Sequence, residues 1–338
     1  MKTLWNVNTF ISSYLGMYVV QTVLHSIIAS VLVDCALIAW DMKTPHVKQR
    51  FRFMVILLPV VSFPLYQLLF PGRGGMYFRL DTLLDSNKWF LLELWDGIPV
   101  FAAFAVILAL STAVFVIQEL VPIAFNMIEQ IRGAAGPAHE DADEALTTKV
   151  AKALEDLPLR EDAVEILDDD DLELFSSTGL KPRIYVSSGM VKSFSNDHLQ
   201  AAFAHEIGHI RRSRKPVLIF AYILRAMMFY NPVAMIEFRK LVDEEEKVCD
   251  DIAVALTGKP EALFEAVDML RPESGDYVAD EGRGTIRGLA AAIEHHSHNA
   301  LMKSRATRIR VGRAIDFQWG VQYFVTMAFI VGINYFVV

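Results

Sequence analysis

Long apolar runs alternate along this chain with a single extended polar stretch. Residues 10–40 are mostly apolar, interrupted by His25 and Asp34; residues 53–70, 97–117 and 317–338 carry no charge at all. Each run is near the ~18 to 20 residues that a helix needs to cross a bilayer. Pro59 and Pro64 fall inside the second run, where neighbouring helices can satisfy the carbonyls that proline frees. The pattern predicts four transmembrane helices. A further apolar stretch, 217–236, has Arg225 in its middle and is broken by Asn231 and Pro232, which predicts a re-entrant helix or one lying against the membrane rather than a fifth crossing.

Within the polar stretch, Arg183, Ile184, Tyr185, Val186 and Ser187 form a β-branched and aromatic run that ends in the turn signal Ser188, Gly189, so a strand is expected there. Next, Ser195 or Asn196 can cap a helix whose first turn carries Asp197 and whose apolar stripe is Leu199, Phe203, Ile207 and Ile210. Residues 140–173 hold fourteen Asp or Glu against Lys149, Lys152 and Arg160. That excess reads as a solvated helical surface plus the loop Asp168 to Asp171, or as a docking surface for basic segments.

Charge then gives the topology. The link after the first run holds Lys43, Lys48, Arg50 and Arg52 against Asp41; Arg211, Arg212, Arg214 and Lys215 follow the capped helix, and Lys303, Arg305, Arg308, Arg310 and Arg313 precede the last run. By the positive-inside rule these clusters mark the cytoplasmic face, so the polar stretch is expected in the cytoplasm of a multi-pass inner-membrane protein. The first run is too long for a signal peptide and no small-residue cleavage site follows it, so it is expected to stay in the protein. Cys35 and Cys249 imply no disulfide framework, which suits a reducing compartment.

The chemistry lies in His205, Glu206 and His209, which read H-E-x-x-H on the capped helix. Positions i and i+4 share one helix face, so two imidazoles can hold one tetrahedral Zn²⁺, with Glu206 beside it as the base for a metal-activated water. A catalytic zinc site needs a third protein ligand. Glu244, Glu245 and Glu246 are all available, and spacing does not choose among them. A full crossing by 217–236 would carry them to the other side of the membrane, which is a further reason to expect a re-entrant segment.

With those residues in view, His205 to Arg212 followed by Glu246, Lys247, Val248, Cys249 and Asp250 resembles the integral-membrane zinc metallopeptidases of the BlaR/MecR type. The pattern is also similar to that of the HtpX and CAAX prenyl endopeptidase group, where it is E-x-x-A/C-D. The resemblance covers residues 183–258, with a looser match in the membrane arrangement. It implies His205, His209 and Glu246 as zinc ligands, Glu206 as general base and acid, and Asp250 as the group orienting a zinc-bound imidazole. Related peptidases place a His-Pro and an arginine downstream. Here His298 is followed by Asn299, and Arg305 lies at a different interval, so His298 and Arg305 are named as oxyanion candidates against the alternatives of a polar helix end and a headgroup contact. The strand residues Tyr185, Val186 and Ser187 are the candidate substrate-binding edge, or a core strand. BlaR/MecR sensors carry an extracellular penicillin-binding domain after the last span. None follows residue 338 here, so direct β-lactam sensing is not expected.

The expectation is therefore a mainly α membrane protein with four transmembrane helices, a re-entrant or membrane-associated helix and an α+β zincin-like cytoplasmic catalytic domain. Its domains are 1–132 (three spans), 133–316 (the peptidase domain, including 217–236) and 317–338 (the last span). Its function is expected to be hydrolysis of peptide bonds in membrane or membrane-proximal proteins, with protein or peptide substrates, the lipid bilayer and no nucleic acid as partners. A sensor partner or a homo-oligomer stays open. The alternatives are a signalling protease for one dedicated cytoplasmic regulator and a catalytically silent, zinc-stabilised scaffold; an intact Glu206 speaks against the scaffold. The glycine- and charge-rich residues 272–287 are the expected place for self-cleavage.

Overall fold

The computed structural model describes residues 13–74, 85–90, 92–95, 98–121, 144–177, 182–213, 216–270, 301–309 and 319–337. His298, the segment 272–287 and the break expected at 133–137 lie outside these residues. The described chain is mostly helical and divides into two compact units, one comprising Met1–Ala135, Val217–Val242 and Ile315–Val338, the other Gly136–Pro216 and Asp243–Ala314.

The first unit begins with α1 (Tyr14–Ala39), capped by Ser13, whose hydroxyl accepts from Gly16 N at 3.0 Å. A short turn follows in which Asp41 takes a left-handed φ of 47°, a conformation that short polar side chains tolerate better than most. It leads to α2 (Pro45–Leu69), which has proline in its first turn and continues through Pro59 and Pro64. After α3 (Ser86–Phe90), the two-stranded pair β1 (Glu93–Trp95) and β2 (Ile98–Pro99) precedes α4 (Val100–Phe115), which continues as a π turn over Val116–Leu120. Tyr14–Ala39, Pro45–Leu69 and Val100–Leu120 are long and apolar enough to cross a membrane.

The polar residues inside these runs pair with one another, which offsets the cost of desolvating them. His25 Nδ1 lies 2.9 Å from Ser62 Oγ. Asp34 meets Arg52 at 2.5 Å, and Arg52 also reaches Glu237 at 3.0 Å.

The second unit opens with α5 (Glu144–Leu154) and a three-stranded sheet, β3 (Val164–Leu167), β4 (Leu174–Ser177) and β5 (Arg183–Ser187), in the order β3-β5-β4. β5 pairs parallel to β3 (Val164 opposite Ile184) and antiparallel to β4 (Leu174 opposite Val186). Its end forms a tight corner into α6 (Ser188–Ser193). Ser187 Oγ donates to Asp171 O and accepts from Met190 N, and Ser188 Oγ donates to Asp169 O. At Gly189 a Cβ would fall 2.1 Å from Asp170 O, so only glycine fits. The corner thus clamps the backbone of the acidic loop that leads into β4.

α7 (Asn196–Ser213) follows, with Ser195 Oγ accepting from His198 N at 3.2 Å. Leu199, Phe203 and Ile207 are buried with Ile184, Val186, Met190 and Phe194 in the core of this unit.

α8 (Pro216–Met227) has 12 residues, about 18 Å of helix against a hydrocarbon core of about 30 Å. Its buried Arg225 pairs with Glu119 at 2.8 Å and lies over the Phe238 ring. Asn231 then caps α9 (Pro232–Thr257) by accepting from Val233 N and Ala234 N. α9 contributes to both units, the first up to Val242 and the second from Asp243. α10 (Pro260–Met269) and α11 (301–309) complete the second unit, and α12 (Trp319–Tyr335, 17 residues) belongs to the first.

Candidate metal centre

The site is built where α7 crosses α9. Gly208 makes the crossing close, since a Cβ there would lie 3.2 Å from both Cα and Cβ of Cys249. One turn along the same face, Arg212 forms a buried two-point pair with Glu245, including Nη2 to Oε2 at 2.5 Å. Successive helix residues point about 100° apart, so the three consecutive glutamates separate. Glu244 takes Lys247 at 2.9 Å, Glu245 takes Arg212, and Glu246 faces the histidines.

That orientation completes a triangle. His205 Nε2 and His209 Nε2 are 3.1 Å apart, and Glu246 oxygens lie 3.4 Å from each. Four ligands at zinc's ~2.0 to 2.1 Å bond lengths form a tetrahedron with edges of about 3.4 Å, so these three atoms already stand near the corners of such a site. Two neutral imidazoles and one carboxylate are also a donor set that suits zinc. Among the described residues this is the one group of three that could hold a metal ion.

Behind the triangle, the other ring nitrogen of each histidine is occupied. His205 Nδ1 is 3.0 Å from Asp250 Oδ1, and His209 Nδ1 is 3.6 Å from Cys249 Sγ. Arg305, on α11, grips Asp250 through Nε (3.0 Å) and Nη2 (2.7 Å), while its Nη1 is 3.3 Å from Glu246. Arg308 adds a two-point pair with Asp251, both contacts 2.7 Å. Together these pin α11 to α9.

Electrostatics follow from that crowding. Burial and the Arg305 charge both press His205 toward its neutral form, but hydrogen bonds with Asp250 and Glu246 outweigh them and carry it up to about 9. Burial would raise Asp250, yet Arg305 and His205 hold it down at about 2. Glu246 is likewise opposed by burial and brought well below the usual carboxylate range by the two histidines. Burial, and then Glu245 and Glu246, push the Cys249 thiol up, so it stays neutral.

A cavity of about 430 Å³ opens on this cluster. One wall is polar, with His205, Glu206, His209, Glu246 and Arg305. The other is apolar, formed by Leu263, Ala266 and Val267 of α10 with Leu270 and Met302, and β4 contributes Leu174, Phe175 and Ser176.

The sequence-derived residues therefore fall as follows. His205, Glu206, His209, Glu246, Asp250 and Arg305 come together. Tyr185, Val186 and Ser187 do not supply a substrate-binding edge, because β5 is the central strand with both sides paired. Among the described residues β4 has one side unpaired, and it lines the cavity. Sequence reasoning also missed Gly208, Cys249 and the Arg212–Glu245 pair. Arg212 lies seven residues after His205 and so shares its helix face, a signal that was available; nothing in the run of glutamates marked Glu245 as its partner.

Residues 97–261 match the family described as BlaR1 peptidase M56. The match spans just under half of the chain, takes in His205, Glu206, His209, Glu246 and Asp250, and supports a BlaR1-type membrane-associated metallopeptidase. No curated protein and no solved structure matches the chain significantly.

Proposed function

We propose that the chain is an integral-membrane zinc endopeptidase that hydrolyses peptide bonds of membrane or membrane-proximal proteins on the cytoplasmic side. In this reading α12 is part of a fourth span, and the second unit is a zincin-like catalytic domain. The observation that carries it is the triangle of His205, His209 and Glu246 at 3.1, 3.4 and 3.4 Å, with Glu206 beside it on the wall of one cavity. The cytoplasmic placement rests on the basic residues Lys43, Lys48, Arg50 and Arg52 after α1.

His205, His209 and Glu246 would hold the ion, and Asp250 keeps the His205 ring turned toward that position. Bound there, zinc supplies Lewis acidity for a carbonyl and lowers the pKa of water. Glu206 takes the proton of the attacking water and hands it to the leaving amine. Arg305, held in place by Asp250, brings positive charge to the cavity where the oxyanion develops. An extended substrate adds to the free side of β4, whose backbone groups bind any sequence.

The test compares purified wild type with Glu206→Gln, both zinc-loaded in detergent, on an unfolded protein substrate. Cleavage by wild type alone, with zinc retained in both, is the expected result. Equal cleavage by the two proteins would remove Glu206 as the base, and a wild type that takes up no zinc would remove the metal reading.

A further inference from the structure

The two histidines of the triangle are backed by different chemistry. Behind His205 stands a carboxylate, Asp250, 3.0 Å from Nδ1. Behind His209 stands sulfur, with Cys249 Sγ 3.6 Å from Nδ1. We propose that Cys249 is a positioning residue for His209, its sulfur accepting from Nδ1–H and so fixing the tautomer and ring orientation that leave Nε2 free for the metal. The proposal rests on the metal reading above.

Two observations carry it. First, both histidines present Nε2 to the triangle, so both must carry the proton on Nδ1 when Nε2 ligates, and an acceptor beside each such N–H fixes its ring. For His209 that acceptor is Cys249. Second, the sulfur cannot drift. Cys249 is fully buried on α9 between Glu246 and Asp250, and its Cα and Cβ are pressed against Gly208 at the closest point of the crossing. A ring on the next residue of α7 therefore meets a fixed acceptor. Sulfur lies on the far side of the ring from Glu246, so it acts through His209 and is not itself a ligand. It accepts more weakly than a carboxylate, which makes His209 the less firmly held of the two imidazoles.

The experiment measures apparent zinc affinity by competition with a chelating dye, on the full chain in detergent, for wild type, Cys249→Ala, Cys249→Ser and His205→Ala. Thermal midpoints of the metal-free forms serve as a fold control. Removing a group behind a ligand costs about 10-fold at the low end of its range, and that is the loss expected for Cys249→Ala, with its metal-free midpoint close to wild type. Cys249→Ser, which keeps an acceptor, is expected to recover most of it. Alanine binding as tightly as wild type overturns the proposal, and so does equal weakening by alanine and serine, which would mark a packing role alone. Zinc uptake by wild type but not by His205→Ala keeps the metal reading whatever Cys249 does; no uptake by wild type removes both.

Discussion

α9 supplies charged side chains to two clusters, and they close their charge differently. In the first unit Glu237 and Lys240 join Asp34 and Arg52, with Lys240 2.7 Å and Arg52 3.0 Å from Glu237, and Ser30 donating to the same carboxylate. Two anions meet two cations, and the sum is zero. In the second unit Glu246 and Asp250 meet one permanent cation, Arg305, and two histidines. With both imidazoles neutral that cluster is one positive charge short of balance. A proton on His205 fills the gap in the metal-free protein, and a divalent cation can replace it. A self-neutralised cluster fastens helices; one that lacks a positive charge and borders a cavity is equipped to bind.

The largest effect should come from breaking each cluster at its α9 carboxylate. Glu246→Ala removes one of three protein ligands, roughly a third of a binding free energy of order 10 kcal/mol, so zinc affinity should fall at least about 100-fold. Glu237→Ala leaves Arg52 and Lys240 with Asp34 alone and should cost stability, though less than the about 3 kcal/mol of stranding a buried charge outright. It should leave zinc affinity within about twofold of wild type, because the two clusters share no residue. Chelator competition and thermal unfolding in detergent, run on both variants, separate the outcomes. A Glu237 variant that loses zinc as severely as the Glu246 variant would mean the clusters are coupled along α9.

A smaller effect should follow from removing the group behind the first ligand. Asp250→Asn keeps the shape but loses the charge that both orients His205 and holds Arg305. A 10- to 100-fold loss of zinc affinity, about the usual range for such partners, is expected from calorimetric titration, larger than that of Cys249→Ala. An Asp250 variant no weaker than the Cys249 variant would show that the carboxylate adds nothing over sulfur.

How much of this could be read from the sequence depended on whether the contact was local. The spacing of His205 and His209, the cap at Ser195 and the stripe Leu199, Phe203, Ile207 are properties of one helix, and the sequence displays them. The choice of Glu246 over its neighbours is set by the azimuth of α9 against α7, which Gly208 and the Arg212–Glu245 pair fix. No periodicity in α9 reveals that, and only the family resemblance singled out Glu246. β5 was read correctly as a strand, but its place in the sheet depends on β4, whose four residues follow an acidic run and carry too short a pattern to announce themselves. Arg305 lay far from the motif in sequence and was found through the resemblance; its partner Asp250 explains its position.

The smallest effect is pH dependence, and it tests the charge argument directly. In the metal-free protein His205 stands at about 9 against an ordinary 6.5. Its contribution to stability is therefore complete below pH 6.5 and is lost as pH rises through 9. Asp250 stands at about 2 against 3.8, so its contribution is present above pH 3.8 and is lost as pH falls through 2. Metal-free protein should accordingly lose stability on going from pH 6.5 to 9.5. Zinc reverses the trend, because binding displaces the His205 proton and becomes easier as that proton leaves. Apparent zinc affinity should rise close to tenfold per pH unit, about one proton released per ion, between pH 7 and 8, and less steeply as pH approaches 9. The Asp34, Arg52, Glu237 and Lys240 cluster shares no residue with the metal centre, so Glu237→Ala should leave that slope unchanged. A slope near zero in wild type would mean that His205 is already neutral before the metal arrives, and the contrast between an open and a closed cluster would lose its basis.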